Sequence, residues 1–171
     1  MAVRAIRKKE WFAYFPKDYR WSFITSIALM RTPVGAADPS EIFEVCRRLE
    51  KKVGDDKHWS REWVRMGERV RGMGQAAERK GHKLSAAGHY NRACHYMQMA
   101  DRFHFPKTKV SNAIYRKSID CFHRYLRLND SPKVEIVEIP FEGGKSLPAY
   151  FIHARQAFDA PASALPTENV E

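Results

Sequence analysis

Val134-Glu-Ile-Val-Glu-Ile-Pro-Phe-Glu-Gly-Gly-Lys-Ser-Leu-Pro-Ala-Tyr-Phe-Ile152 is the stretch in which the chain changes its periodicity. Upstream, apolar residues recur at steps of three and four. Here much of the apolar pattern alternates with Glu135 and Glu138, a period of two that predicts a strand. Pro140-Phe-Glu-Gly-Gly144 turns the chain, because paired glycines reach the positive φ that a tight turn needs. Leu147–Ile152 then returns as a second strand, so the stretch reads as a β-hairpin. A lone hairpin is marginal in water and is expected to pack on something or to belong to a larger sheet.

Working outward from the hairpin, the preceding 130 or so residues read as five helices. Tyr19–Met30 carries Trp21, Ile24, Ile27 or Ala28, and Met30, and stops before Pro33 and Gly35. Asp38-Pro-Ser-Glu41 is a start signal in which Asp38 caps, Pro39 needs no N–H, and Glu41 is expected to close a capping box. The face Ile42, Val45, Leu49, Val53 follows, ended by Gly54. Trp59, Trp63, Met66, Val70, Met73 and Ala77 make the third face, closed by Gly81. The fourth runs through Ala86, Tyr90, Ala93 or Cys94, Met97 and Ala100, and the fifth through Val110, Ile114, Cys121, Tyr125 and Leu128. Short loops between the last three imply antiparallel neighbours. The small residues Ala86, Ala87, Gly88 and Ala93 are expected to permit a close helix approach. The fold class is therefore mainly α, a helical bundle over residues 1–130 followed by the hairpin over 131–153. Residues 154–171, rich in Ala and Pro, read as a disordered tail.

Composition excludes several classes. Hydrophobic content of 44% and charged content of 29% are ordinary for a folded domain, and no apolar run approaches a membrane span. The basic N-terminus lacks the apolar stretch of a secretory signal. Cys46, Cys94 and Cys121 are odd in number and scattered, and they read as reduced thiols of a cytoplasmic protein. The net charge of +10 raises the question of nucleic acid. Yet Arg47, Arg48, Lys51 and Lys52 interleave with Glu44 and Glu50, and Arg61, Arg65, Arg69 and Arg71 with Glu62 and Glu68, as on solvated helix faces. Only Arg4, Arg7, Lys8 and Lys9 form an unbalanced arm, and no nucleic-acid-binding motif is present. No membrane partner is expected, and nucleic-acid binding, which needs the basic residues of several helices to converge on one face, stays the lesser alternative.

The blocks Arg79-Lys-Gly-His-Lys-Leu-Ser-Ala-Ala-Gly-His-Tyr-Asn-Arg-Ala-Cys-His-Tyr-Met97, Phe105-Pro106, Tyr115–Phe122, Val134–Ile139, Pro140–Gly143 and Leu147-Pro148 carry a resemblance. In that order they resemble the front part of α/β-hydrolases that place a helical cap before their sheet. That group includes the 2,6-dihydroxypseudooxynicotine hydrolase type and the fungal polyketide-shortening hydrolases. Tyr14–Ser22 is similar to bacterial members. The resemblance spans residues 12–153 or so and implies a cap over a pocket for a small-molecule substrate. It implies a hairpin that opens the hydrolase sheet, and serine hydrolysis of an ester or of a C–C bond beside a carbonyl.

The family's nucleophile elbow is Gly-x-Ser-x-Gly, and no serine here sits in that frame. No catalytic residue is therefore assigned, and the chain alone is expected to be inactive. The sheet proper is expected to be absent, since the sequence ends 18 residues beyond His153. A truncated gene, a pseudo-enzyme and one part of a split enzyme all remain open. Tyr90, Met97, Phe103 and Phe105 are candidates to line the substrate pocket, against the alternative that they are plain core. His82, His89, His95 and Cys94 sit at spacings that do not stack ligands on one helix face, so no metal is assigned. Gly72-Met-Gly74 lies inside a helix with no strand before it, so no dinucleotide cofactor is assigned. A tetratricopeptide-like binding module is the alternative, since Gly81, Ala86, Tyr90 and Ala93 echo one such repeat, though only once. The apolar hairpin 134–152 is expected to promote self-association.

Overall fold

Three aspartates start three helices. Asp18 accepts from the Trp21 amide and opens α1, Tyr19–Leu29. Asp38 accepts from the amides of Ser40 and Glu41 and opens α2, Pro39–Leu49. Asp55, which the sequence reading did not single out, accepts from the amides of Lys57 and His58 and opens α3, Asp56–Arg79. Each side chain satisfies backbone donors that have no partner inside the helix. The computed structural model describes residues 13–129 and 132–153. The basic arm at Arg4–Lys9 and the tail expected over 154–171 lie outside them.

Gly81, with φ of +75°, ends α3 in a Schellman turn: its amide donates to the Glu78 carbonyl and the His82 amide to that of Ala77. The chain returns as α4, Lys83–Asp101, and again as α5, Lys109–Leu128. The chain divides into two compact units, one ending at Leu128 and the other beginning at Asn129. The second holds β1, Val134–Phe141, paired antiparallel with β2, Lys145–Ile152, around Gly143 and Gly144, both at φ of +68°. The mainly α class followed by a hairpin is what the periodicity predicted.

Inside the helical unit α4 packs against both α3 and α5 and is buried on most of its circumference. Ala86, Tyr90, Ala93, Cys94, Tyr96, Met97 and Ala100 are all inaccessible or nearly so. The core continues as a run of aromatic rings. Phe15 meets Trp21 edge-on at 5.4 Å, Trp21 lies 5.0 Å from Trp59, Trp59 lies 5.6 Å from Trp63, and Trp63 lies 5.6 Å from Tyr96. Rings packed this way bury large apolar area and gain further from their quadrupoles.

Of the small residues expected to permit a close helix approach, Ala86, Ala87 and Ala93 are buried, and glycines of α3 make further room. Gly67 and Gly74 of α3 face Met97 and Tyr90, and a Cβ on Gly74 would stand 3.1 Å from the Tyr90 ring. Gly88 of α4 faces open space. The large side chains are on α4, so the room for them must come from α3.

The capping box at α2 also differs. The Asp38 amide donates to the Tyr96 hydroxyl at 2.9 Å, and that hydroxyl donates to Glu41 Oε2 at 2.6 Å. Glu41 thus reaches its cap through a tyrosine of α4, while Arg92 holds the same carboxylate at 3.0 Å. The relay ties the start of α2 to the central helix.

Candidate functional site

Once the buried stripe of α3 is set aside, a second stripe remains on its flank. Lys57, Ser60, Arg61 and Val64 follow at i, i+3, i+4 and i+7, the spacing of one helix face. On α5 the series Val110, Ala113, Ile114, Lys117 repeats the same intervals. These two stripes wall a groove of about 400 Å³ with His104. A second concavity of about 440 Å³ continues it along the α4–α5 connection, sharing Lys57, His104 and Val110 and adding Asp56, Phe103, Phe105, Pro106 and Thr108.

The groove mixes an apolar lining with cations. Val110 is 63% and Phe105 93% exposed, so apolar surface is on offer rather than sealed. The acids beside it are engaged. Asp56 accepts from Arg20 at 3.0 Å and from the Trp21 indole at 3.0 Å, and Glu68 takes Lys117 at 2.6 Å and Arg71 at 2.7 Å. Among the described residues, Lys57 and Arg61 have no carboxylate within 4.0 Å.

Ser60 and His104 meet in the groove, with Oγ 3.3 Å from Nδ1. A serine–histidine contact is one ingredient of nucleophilic catalysis, but the setting here does not support it. Ser60 is 6% exposed in the body of α3, where neighbouring amides are consumed by the helix and no pair is free to hold an oxyanion. The contact fastens the α4–α5 connection to α3. The arrangement can bind; it does not make a nucleophile.

The four pocket candidates are not gathered in one place. Phe103 and Phe105 both line the second concavity. Phe103 meets Trp59 edge-on at 5.1 Å and carries the Arg20 guanidinium 5.0 Å above its ring. Tyr90 and Met97 are fully buried between α3 and α4. The Tyr90 hydroxyl donates to Glu78 at 2.6 Å and accepts from Arg124 at 3.1 Å. Burial and the Glu78 carboxylate raise its pKa, and the Tyr90 hydroxyl and Arg124 outweigh the effect of burial on Glu78 to lower that carboxyl's. The sequence reading placed Val110 and Ile114 on the apolar face of the fifth helix but did not single out Lys57, Arg61, Ala113 or Lys117 as a site. Their signal was the i, i+3, i+4, i+7 spacing, which on α3 fell on a face read as solvated and on α5 ran beside apolar residues read as core.

The polar residues weighed as metal ligands are scattered: among the described residues no three His, Cys, Asp or Glu side chains are placed to share an ion. The three cysteines are free and buried. Burial pushes the thiols of Cys46 and Cys94 up to about 12 and that of Cys121 to about 11, which leaves them protonated and poor nucleophiles. Gly72 and Gly74 lie within α3. Among the described residues no helix is long and apolar enough to cross a membrane.

No family model matches the chain. Curated proteins do. The chain is 29% identical over 137 residues to a protein named hydrolase acrC from Aspergillus aculeatus, which covers 78% of this chain and 31% of that one. It is 27% identical over 136 residues to the α/β-hydrolase pydG from an Acremonium species, covering 80% and 31%. With hydrolase ORFZ of Pyricularia oryzae the identity is 29% over 141 residues, covering 79% and 32%. The chain spans about a third of the length of these relatives. Over four-fifths of its own length, then, this chain matches a fragment of an α/β-hydrolase.

Proposed function

We propose that the helical unit is the cap of an α/β-hydrolase and that the hairpin is the first strand pair of its sheet. Support comes from the order of elements, helices then an apolar hairpin, together with the match to proteins named as α/β-hydrolases. The observation that carries the reading is the coverage: about 80% of this chain but about 31% of the relatives. A piece of that share, without Gly-x-Ser-x-Gly, is a piece that positions substrate rather than attacks it. The nucleophile then belongs to the length the relatives have in addition. The reaction is serine hydrolysis of an ester or of a C–C bond beside a carbonyl. The cap closes over the pocket, excludes water and selects the acyl part. Phe103 and Phe105 contribute apolar wall, while Tyr90 and Met97, set against Gly74 and Gly67, hold α4 on α3. Three free, buried thiols suit a reducing, cytoplasmic setting.

The test is to express the chain joined to the coding sequence that follows it at its source and to label the product with a fluorophosphonate. A single reactive serine is expected in the joined protein. Removing residues 13–128 is expected to leave that serine reactive while raising KM and broadening substrate choice. A joined protein with no reactive serine overturns the reading.

A further inference from the structure

We propose that the groove between α3 and α5 is a binding site for a small aromatic or acyl anion, a carboxylate-bearing compound with its rings or chain on the apolar walls. This names a substrate class for the cap and rests on the cap reading for its place in a reaction.

The walls come from two helices at matched spacing. Val64 on α3 faces the groove together with Val110, Ala113 and Ile114 on α5, and the continuous second lobe adds the Phe105 ring. Each lobe, about 400 and 440 Å³, falls within the range that small-molecule pockets occupy. Apolar walls alone would take any greasy molecule. The charge pattern narrows the choice.

Lys57 and Arg61 stand one helical turn apart on α3, where like charges repel. Among the described residues neither is matched by a carboxylate within 4.0 Å, while Lys117 on the opposite wall is held by Glu68 and Asp56 by Arg20. Elsewhere on the helices Arg48, Arg92 and Arg124 meet acids, whereas Arg47, Arg79 and Arg116 share with Lys57 and Arg61 the lack of a carboxylate within 4.0 Å among the described residues. What sets Lys57 and Arg61 apart is their place in the lining of an apolar groove. Two uncompensated cations at the mouth of an apolar groove complement an anionic head on an apolar body. Arg61 supplies a planar fork that suits a carboxylate, and Lys57 a point charge.

The probe pair is anilinonaphthalene sulfonate and its uncharged parent, phenylnaphthylamine, titrated into the full chain with amide shifts mapped by NMR. The sulfonate is expected to shift amides of residues 57–64 and 104–117 and to bind about tenfold more tightly than the parent, as two exposed charge contacts allow. The double variant K57Q/R61Q, at exposed positions, is expected to bring the sulfonate down to the parent's affinity and to leave the parent unchanged. Equal affinities, no effect of the variant, or shifts confined to residues 134–152 overturn the assignment. Loss of this site in a joined protein that still hydrolyses esters refutes the groove and keeps the cap. A functioning groove in a joined protein without a reactive serine refutes the cap and keeps the groove.

Discussion

Replacing Gly74 and Gly72 separately by alanine tests how α3 and α4 are fitted together. The two positions lie two residues apart in the same helix, so both substitutions gain the same helix propensity, about 1 kcal/mol. At Gly72 the new Cβ meets nothing within 4 Å, and the gain appears as stabilisation. At Gly74 it stands 3.1 and 3.2 Å from two carbons of the Tyr90 ring and 3.3 Å from His89 Cβ, where carbon atoms prefer about 3.5–4.0 Å. The ring has little freedom to withdraw. It is fully buried, its hydroxyl is tied to Glu78 and Arg124, and the Arg124 guanidinium lies 5.4 Å above it. Overpacking of this kind costs about 1–3 kcal/mol. Gly74→Ala should therefore fall about 1–3 kcal/mol below Gly72→Ala in urea unfolding followed by far-UV circular dichroism, at equal m-value. Gly88→Ala, whose Cβ also meets open space, should behave as Gly72→Ala. If Gly74→Ala stabilises as much as the other two, the helices do not meet at Gly74 and the interface described above is wrong.

Tyr96→Phe removes the hydroxyl linking the Asp38 amide to Glu41 and leaves both short of a partner; a loss of about 1–3 kcal/mol is expected in the same assay. His95 is 5% exposed, and burial, with Arg31 nearby, pushes its pKa down to about 4. A depressed folded-state value means that the neutral imidazole's contribution is intact above the unfolded pKa and is lost as pH falls through the folded one. Stability should drop by about 3 kcal/mol between about pH 6.5 and pH 4, and His95→Leu should flatten the upper part of that fall, above the carboxylate range. The hairpin substitution Ile139→Lys with Phe151→Lys should lower the sedimentation coefficient at high concentration; an unchanged, self-associating chain would place the contact elsewhere.

Helix positions were legible because buried faces repeat at helical spacing, and three of the five starts carry an aspartate. Ile42, Val45 and Leu49 are inaccessible, as are Trp59, Trp63 and Val70. Where a stripe runs past its partner helix, sequence overestimates burial: Met30 is 70%, Val53 38% and Met73 43% exposed. Periodicity reports what a helix could bury and not how far its neighbour extends. The groove was hidden for the converse reason. Lys57, Arg61 and Lys117 look like any solvated helix face until the fold sets α3 and α5 on either side of α4. The tyrosine-relayed cap was out of reach as well, since Asp38 and Tyr96 are 58 residues apart.

The hairpin carries the last step. Glu135 and Glu138 suggest one polar face, but three residues apart in a strand they point to opposite faces. The register pairs Ile136 with Tyr150 on one face and Ile139 with Leu147 on the other. One face presents Ile136, Tyr150 and Ile152, and the other Ile139, Phe141, Leu147 and Phe151, all at least 41% exposed. Strands with one wet face alternate apolar and polar side chains, whereas strands covered on both faces are apolar throughout. This pair approaches the second kind, its polar residues being Glu138 and Ser146 on the first face and Glu135 and Lys145 on the other. Two strands alone cannot bury two faces. A sheet that extends the hairpin edge to edge, with cover on both sides, meets that demand in a way that packing one face against a helix would not.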